Sequence, residues 1–547
     1  MLHTRLTTEQ ERYEVLRAYK CIPYALFSNE YTGKTDELMH ELNDIYELYH
    51  IYKKGMSFLT EGTNGDYIPS KVRYKKIATL INKEARFMFG QYPDFNVLSQ
   101  ADRSLQTEAT RNNIDAMQTL VNTVLTENNF ESMLMKAGKD CLIGKRVAFA
   151  VNFSEYDGVT IQAFTSKDFV FECKGNNTNA LTKFVSFTII EENTQNTQKR
   201  IFKKKYKLEV VNNKDVCFVE ESIHDGNGVL ISTVTEYQET LLDRIPVAIV
   251  LNDGLTGDIK GLSEIEQIGE DVERAYSKLS NADTDSLRKS MNPIKYTVDM
   301  STETTKGLST SAGAYWDLLS DQNIDRPNPS IGTLESNIGY SSALETTLKR
   351  MKSEMYEAID MPDISPDTLA GMITSGKSLK AIYWGLTVRC NEKMKEWHPA
   401  LQRLVSIIID GAIIYSNTIA MYNIDVPYAS QYKIEIVTNY PIQDDENEEK
   451  TIDLSEISNN AMSRLSYIKK WRKMTDKEAQ EELLQIAKEQ ALFENATGSL
   501  NDTTQLDNIN DSTQDNEDLE YNTEDAEDTE QQTTEDNLQQ MNDSIQE

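Results

Sequence analysis

Cysteine is scarce in this 547-residue chain: Cys21, Cys141, Cys173, Cys217 and Cys390 form an odd, scattered set with no C-x-x-C pair. That excludes a zinc ribbon and a disulfide framework, and points to synthesis in a reducing cytosol. Histidine is as rare. His3, His40, His50, His224 and His398 show no metal spacing and no serine or cysteine neighbour suggesting a triad, so no metal, cofactor or catalytic residue is expected. No apolar run approaches the ~20 residues that span a bilayer, and the opening MLHTRLTTEQERYEVLRAYK has no apolar signal core. The expectation is a soluble chain with no membrane partner. Positive charge is also short: 56 Lys and Arg against 88 Asp and Glu leave a net charge of −32. This argues against a tight sequence-reading duplex binder, whose affinity comes from cations displacing counterions. A surface past which DNA slides remains compatible with it.

What is present supports a folded body. The length allows several cores, and 39% of residues are hydrophobic, with 26 tyrosines. The acid is unevenly spread: from Ala491 to Glu547 there are 17 acidic residues and no lysine or arginine. With so few apolar groups to offset ordering entropy, this tail is expected to be disordered.

The first 135 residues or so read as helical, most clearly YKKIATLINKEARFMFG, where Ile77, Leu80, Ile81, Glu84, Phe87 and Met88 share a stripe and Gly90 marks a stop. From Gly144 to Val250 the period becomes two. KRVAFAVNF, GVTIQAF, KFVSFTII, RIFKKKYKLEVV, VCFVEESI and VLISTVTEY predict an antiparallel meander of about six strands. Helices then return. Ser263 and Glu266 make a capping box before a long helix with the seam Ile265, Ile268, Val272, Ala275, Leu279 and Ala282. A matching helix spans Ser341 to Asp360, with Ser342 and Glu345 as its box, Leu344, Leu348, Met351, Met355 and Ala358 as its seam, and Pro362 as its stop. Between them lies the alternating run PIKYTVDM in a segment long enough for a small subdomain. Farther on, Ile434 to Val437 predicts a strand, and AMSRLSYIKKWRKMTDKEAQEELLQIAKEQ two short helices, the second capped by Thr475 with Glu478.

One segment carries a chemical signature. GMITSGKS, Gly371 to Ser378, satisfies the phosphate-loop pattern G-x-x-x-x-G-K-[ST], and Asp410 ends a downstream apolar run as a magnesium-binding aspartate would. A phosphate-loop NTPase would use Lys377, Ser378 and Asp410. Yet the mechanism needs a buried strand before the loop, and DMPDISPDTLA, with Pro362, Pro366 and three aspartates, is a loop. Helical spacing from Ser378 to Tyr415 also puts Asp410 on a helix, so the structural reading is preferred. Two charged clusters have plain readings. Lys203, Lys205 and Lys207 share a strand face opposite Phe202, Tyr206 and Leu208, which predicts a solvated edge or face rather than a DNA site. Asp283 and Asp285 point to different helix faces and cannot easily share a metal; they are solvated or line a channel.

The order of pieces resembles the portal proteins of tailed bacteriophages, in the siphophage SPP1-type branch, over about Tyr13 to Gln490. INKEARFMFG, DCLIGKRVAFAV, DRIPVAIVLNDG, GLSEIEQIGEDVERAYSKLSNADTDSLRKSMNP, TSGKSLKAIYWGL, TNYPIQDDENE and LSYIKK carry the resemblance. It implies an α+β, mainly helical portal fold assembled as a ring. Its parts would be a wing at 1–257 with the meander at 144–250, a first stem helix at 258–290 and a clip at 291–340. A second stem helix would follow at 341–360, a tunnel loop at 361–377, a long helix at 378–409 and a crown at 410–490, before the acidic tail at 491–547. Carried over by position, the DNA-channel loop would hold Pro362, Asp363, Ile364, Ser365, Pro366, Asp367, Met372 and Thr374. The channel face of the stem would hold Glu270, Glu273, Asp283, Lys349 and Lys352, and the clip Tyr296, Trp316 and Asp317. The implied partners are further copies in a ring, a dodecamer by family habit, double-stranded DNA, the terminase large subunit, major capsid and scaffolding proteins, and a head-completion adaptor. No enzymatic activity is implied. The rival readings are the NTPase and a baseplate or adhesion protein.

Overall fold

The computed structural model describes residues 22–31, 35–55, 70, 72–100, 106–192, 199–291, 294–298, 330–334, 339–363, 380–416, 432–441, 446–472, 474 and 476–502. The chain divides into two compact units, 1–445 and 446–547.

The first unit opens with helices α1 (Tyr24–Ser28), α2 (Thr35–Lys54) and α3 (Lys76–Phe89). The stripe expected on α3 is buried throughout, Glu84 included. A short strand the periodicity missed, β1 (Asp94–Ser99), precedes α4 (Glu108–Glu127) and α5 (Phe130–Gly144). The β region follows as β2 (Arg146–Ser154), β3 (Gly158–Thr165), β4 (Phe169–Cys173), β5 (Leu181–Glu192), β6 (Lys199–Val211), β7 (Lys214–His224), β8 (Leu230–Glu239) and β9 (Val247–Leu251).

All six expected strands exist, but they belong to two antiparallel sheets, ordered β3-β2-β9 and β4-β5-β6-β7-β8. The two unforeseen strands explain the split. β9, VAIVL, is buried at every position, so it shows no alternation, and β4 has only five residues. The lysines of β6 are a second correction: β6 is a central strand, not an edge. Glu30, itself buried, forms ion pairs with Lys183, Lys203 and Lys205, while Glu221 takes Lys204 at 2.9 Å. These charges are neutralised within the fold, and only Lys207 is well exposed.

The remaining elements of this unit are α6 (Glu264–Ile268), α7 (Glu270–Met291), the hairpin-like pair β10 (Ile294–Val298) and β11 (Ser330–Leu334), α8 (Ser341–Glu357), α9 (Trp384–Ile414) and β12 (Tyr432–Val437). β12 pairs antiparallel with β1, so the strand expected at Ile434 to Val437 starts two residues earlier. Trp397 of α9 is the centre of the main core, with its ring 4.7 Å from Phe89 and 6.2 Å from Phe149.

The second unit contains α10 (Glu446–Ser458), α11 (Arg464–Arg472) and α12 (Asp476–Asp502). Asp453 joins the first two of these, accepting from Lys470 at 2.8 Å and from the Trp471 indole at 2.7 Å. The break between α11 and α12 falls where expected, although its proposed cap, Thr475, lies outside the described residues. Against the expectation of disorder from residue 491, helix α12 continues to Asp502. The segment LFENATGSLND still contains leucine, phenylalanine and alanine, enough helix formers to extend the preceding turns.

Candidate DNA-channel elements and their anchors

The first candidate channel element begins at Ser263. Its hydroxyl and Glu266 form the expected capping box, and Ser263 also donates to the Ile143 carbonyl at 2.7 Å, fixing α6 to the end of α5. The long helix expected here is not continuous. Gly269 adopts φ 90°, a conformation costly for any residue with a Cβ, and separates α6 from α7.

The break changes which face is buried. Ile265 and Ile268 of the predicted seam enter the core, but on α7 the buried residues are Glu273, Ser277, Ser280 and Asn281. Their partner is an extended segment running the other way. Ile77 N–H donates to Glu273 at 3.2 Å, Val72 exchanges two 2.8 Å bonds with the Asn281 amide, and Ser70 N–H donates to Asp285 at 3.0 Å. Spacing by fours along the helix aligns Glu273, Asn281 and Asp285 on one face. Glu273 is thus only 1% exposed and caps the start of α3; it cannot face a channel, as the sequence reading had it. Burial pushes its carboxyl up to about 7, despite the backbone N–H groups of Ile77 and Lys76 that favour its charge.

Asp283 points elsewhere, as expected of a residue two positions from Asp285, and accepts from Tyr340 Oη at 3.3 Å. Tyr340 is also the N-cap position of α8, which packs along α7. The second expected capping box is absent: Ser342 lies inside α8, its carbonyl accepting from Thr346. The helix ends before Pro362, because Asp360 turns to φ 51°.

Lys352 of α8 donates to Asp363 at 2.7 Å, which holds its ammonium above its usual range and ties Asp363 back to α8. Of the other expected residues, Lys349 is exposed, Glu270 and Pro362 are half-buried, and Asp363 is exposed. Tyr296 lies across from Gly332 in the β10–β11 pair, where a side chain on the glycine would collide with its ring. Ile364, Ser365, Pro366, Asp367, Met372, Thr374, Trp316, Asp317, Lys377 and Ser378 lie outside the described residues. The exposed faces of α7 and α8 carry both signs of charge: α7 presents Asp271, Lys278, Arg288 and Lys289, and α8 presents Glu345, Lys349, Arg350, Glu354 and Glu357.

Sequence reasoning missed the ionic node that anchors these parts. Glu84 of α3, Glu264 of α6, and Arg389 and Lys393 of α9 meet inside the core. Arg389 donates to Glu84 at 3.3 Å, and to Glu264 and Gln267 at 2.6 Å each; Lys393 ion-pairs with Glu264 and bonds Asn252 at 3.1 Å. Burial, reinforced by the Glu264 charge, pushes Glu84 up to about 7. Glu264 is buried too, but Lys393 and Arg389 hold it below the usual carboxylate range. The node joins α3 and α6 to α9, the helix that follows the 364–379 segment. A charged residue at a core position of α3 was the available signal.

Asp410 is on helix α9, as helical spacing indicated. It pairs with Arg244 and accepts from Tyr432 Oη at 2.8 Å, so its charge is used in joining α9 to β12 and the β9 approach. His224 does have a serine neighbour, contrary to the sequence reading. Ser222 lies 2.9 Å from its Nε2, and Gly228 carbonyl 3.2 Å from its Nδ1. Both side chains are buried in β7, and the arrangement satisfies two polar groups within the sheet. Among the described residues no group of His, Cys, Asp or Glu could hold a metal, and no helix is long and apolar enough to cross a membrane.

None of the curated proteins compared with it matches the chain. The pattern of the family described as phage portal protein, SPP1 Gp6-like, matches residues 21–492. That span contains the node, helices α6 to α8, the β10–β11 pair and every other element of both compact units except the last turns of α12, and the chain belongs to this phage portal protein family.

Proposed function

We propose that identical copies of this portal protein close into a ring, a dodecamer by family habit, at one vertex of a capsid. Double-stranded DNA enters and leaves along its axis, past α7, α8 and the 361–377 loop. The family match carries this reading, and the anchoring of α6 to α9 supports it: the stem and the helix after the loop share one buried ionic node. Exposed carboxylates such as Glu345 and Glu357 of α8 beside the axis would let a phosphate column move without adhering. The clip at 291–340 would dock the terminase large subunit, which hydrolyses ATP, and a head-completion adaptor. Capsid and scaffolding proteins would surround the ring.

The portal family is structural, and this chain is read as having no enzymatic activity of its own. Heads assembled with the chain should contain nuclease-protected DNA, and heads assembled without it none. Calorimetric titration of the purified protein with Mg-ATP should show no saturable heat. Saturable binding abolished by Lys377→Ala would replace this reading with a phosphate-loop NTPase, because that ammonium stabilises the β and γ phosphates.

A further inference from the structure

Two oppositely charged surfaces border the elements that form the ionic node. On α3, Thr79, Lys83 and Arg86 form the exposed stripe, and the helix's one carboxylate, Glu84, is buried. Lys83 donates to Tyr356 Oη at 3.2 Å, so the stripe continues onto α8. There Asp363 pairs with Lys352 and Glu354 with Arg350. Lys83, Arg86 and Lys349 are left without a carboxylate partner among the described residues. In a chain of net charge −32, the acid-free exposed face of α3 is a marked departure from the average surface.

The opposite surface is the rim of a cavity of about 590 Å³ between α9 and the loop after β9. Its floor includes Arg389 and Lys393, the two cations that Glu84 meets from the α3 side. Its exposed rim carries Asp253, Asp258, Glu392 and Glu396 against one exposed cation, Lys395. None of these carboxylates has a cationic partner among the described residues. Leu255, 86% exposed, stands on the same loop, where positive φ at Asp253, Gly254 and Gly257 shapes the turn.

We infer that these surfaces meet between neighbouring copies: the Lys83, Arg86 and Lys349 stripe of one copy docks on the Asp253, Asp258, Glu392 and Glu396 rim of the next. This rests on the ring reading. Two different, complementary patches on one chain make a head-to-tail contact, the kind that generates a ring when the rotation closes. Complementary charge sets orientation and speeds encounter, and its contribution weakens with salt. Leu255 is covered in the same contact.

The test uses three full-length variants: Lys83→Glu with Arg86→Glu, Glu392→Lys with Glu396→Lys, and all four together. Sedimentation across a concentration series at low salt reads the midpoint of assembly, and circular dichroism checks folding. Each pair of reversals should raise the midpoint by about tenfold or more, and the combined variant should recover most of that loss, because opposite charges face each other again. Parent-like midpoints for either folded pair, or no recovery in the combined variant, overturn the contact. If the parent assembles and the reversals assemble equally, only the contact falls. A parent that stays monomeric removes the ring reading and the contact with it.

Discussion

Arg389→Ala should destabilise the folded chain by about 3–5 kcal/mol, the range seen when one partner of a buried ion pair is removed. The guanidinium bonds Glu84, Glu264 and Gln267, and without it two fully buried carboxylates face Lys393 alone. Arg389→Lys should recover little, since an ammonium cannot span three acceptors on two helices with the same planar geometry. Urea unfolding at one fixed protein concentration measures this without confusing it with assembly. A loss below about 1 kcal/mol would mean that the node relaxes or takes in water, and does not hold α6 to α9.

A second large effect is in pH. Burial raises the Glu273 carboxyl from its ordinary 4.5 to about 7. A raised folded-state value means that the stabilising contribution is fully present below the unfolded value and is lost as pH rises through about 7. Glu84 has the same sign, but its titration is bound up with Glu264, whose lowered value gives the opposite dependence, lost as pH falls. Glu273→Gln is therefore the cleaner variant, since an amide oxygen can still accept from Ile77 N–H. Relative to the parent it should gain on the order of 2–3 kcal/mol between about pH 5 and pH 8. Parallel stability profiles for the two proteins would contradict the burial of an ionisable group at this junction.

The elements that could be read from sequence were those with strong local signals. The α3 stripe, the Ser263–Glu266 box, the break between α11 and α12 and the helical setting of Asp410 each follow from spacing within a dozen residues. The failures share a physical cause. β9 and β1 are short and take their identity from partners far away in sequence, β2 and β12. The α7 face was misassigned because apolar periodicity was sought where the buried face is polar, with Glu273, Asn281 and Asp285 bonding the backbone of residues 70–77. The node is harder still. Glu84, Glu264, Arg389 and Lys393 come from three distant helices, and apart from Glu84 on its apolar stripe each alone reads as an ordinary surface charge. Family resemblance supplied what local physics could not, an expected order of wing, stem, clip and loop, and the match over 21–492 supports membership of the family.

The central claim is a closed ring with an axial opening, and negative-stain images of the purified full-length chain test it most directly. Class averages should show particles of one rotational symmetry with a stain-filled centre, each many times the 62.3 kDa of a single chain. Particles of single-chain size at every concentration and salt condition would contradict the account.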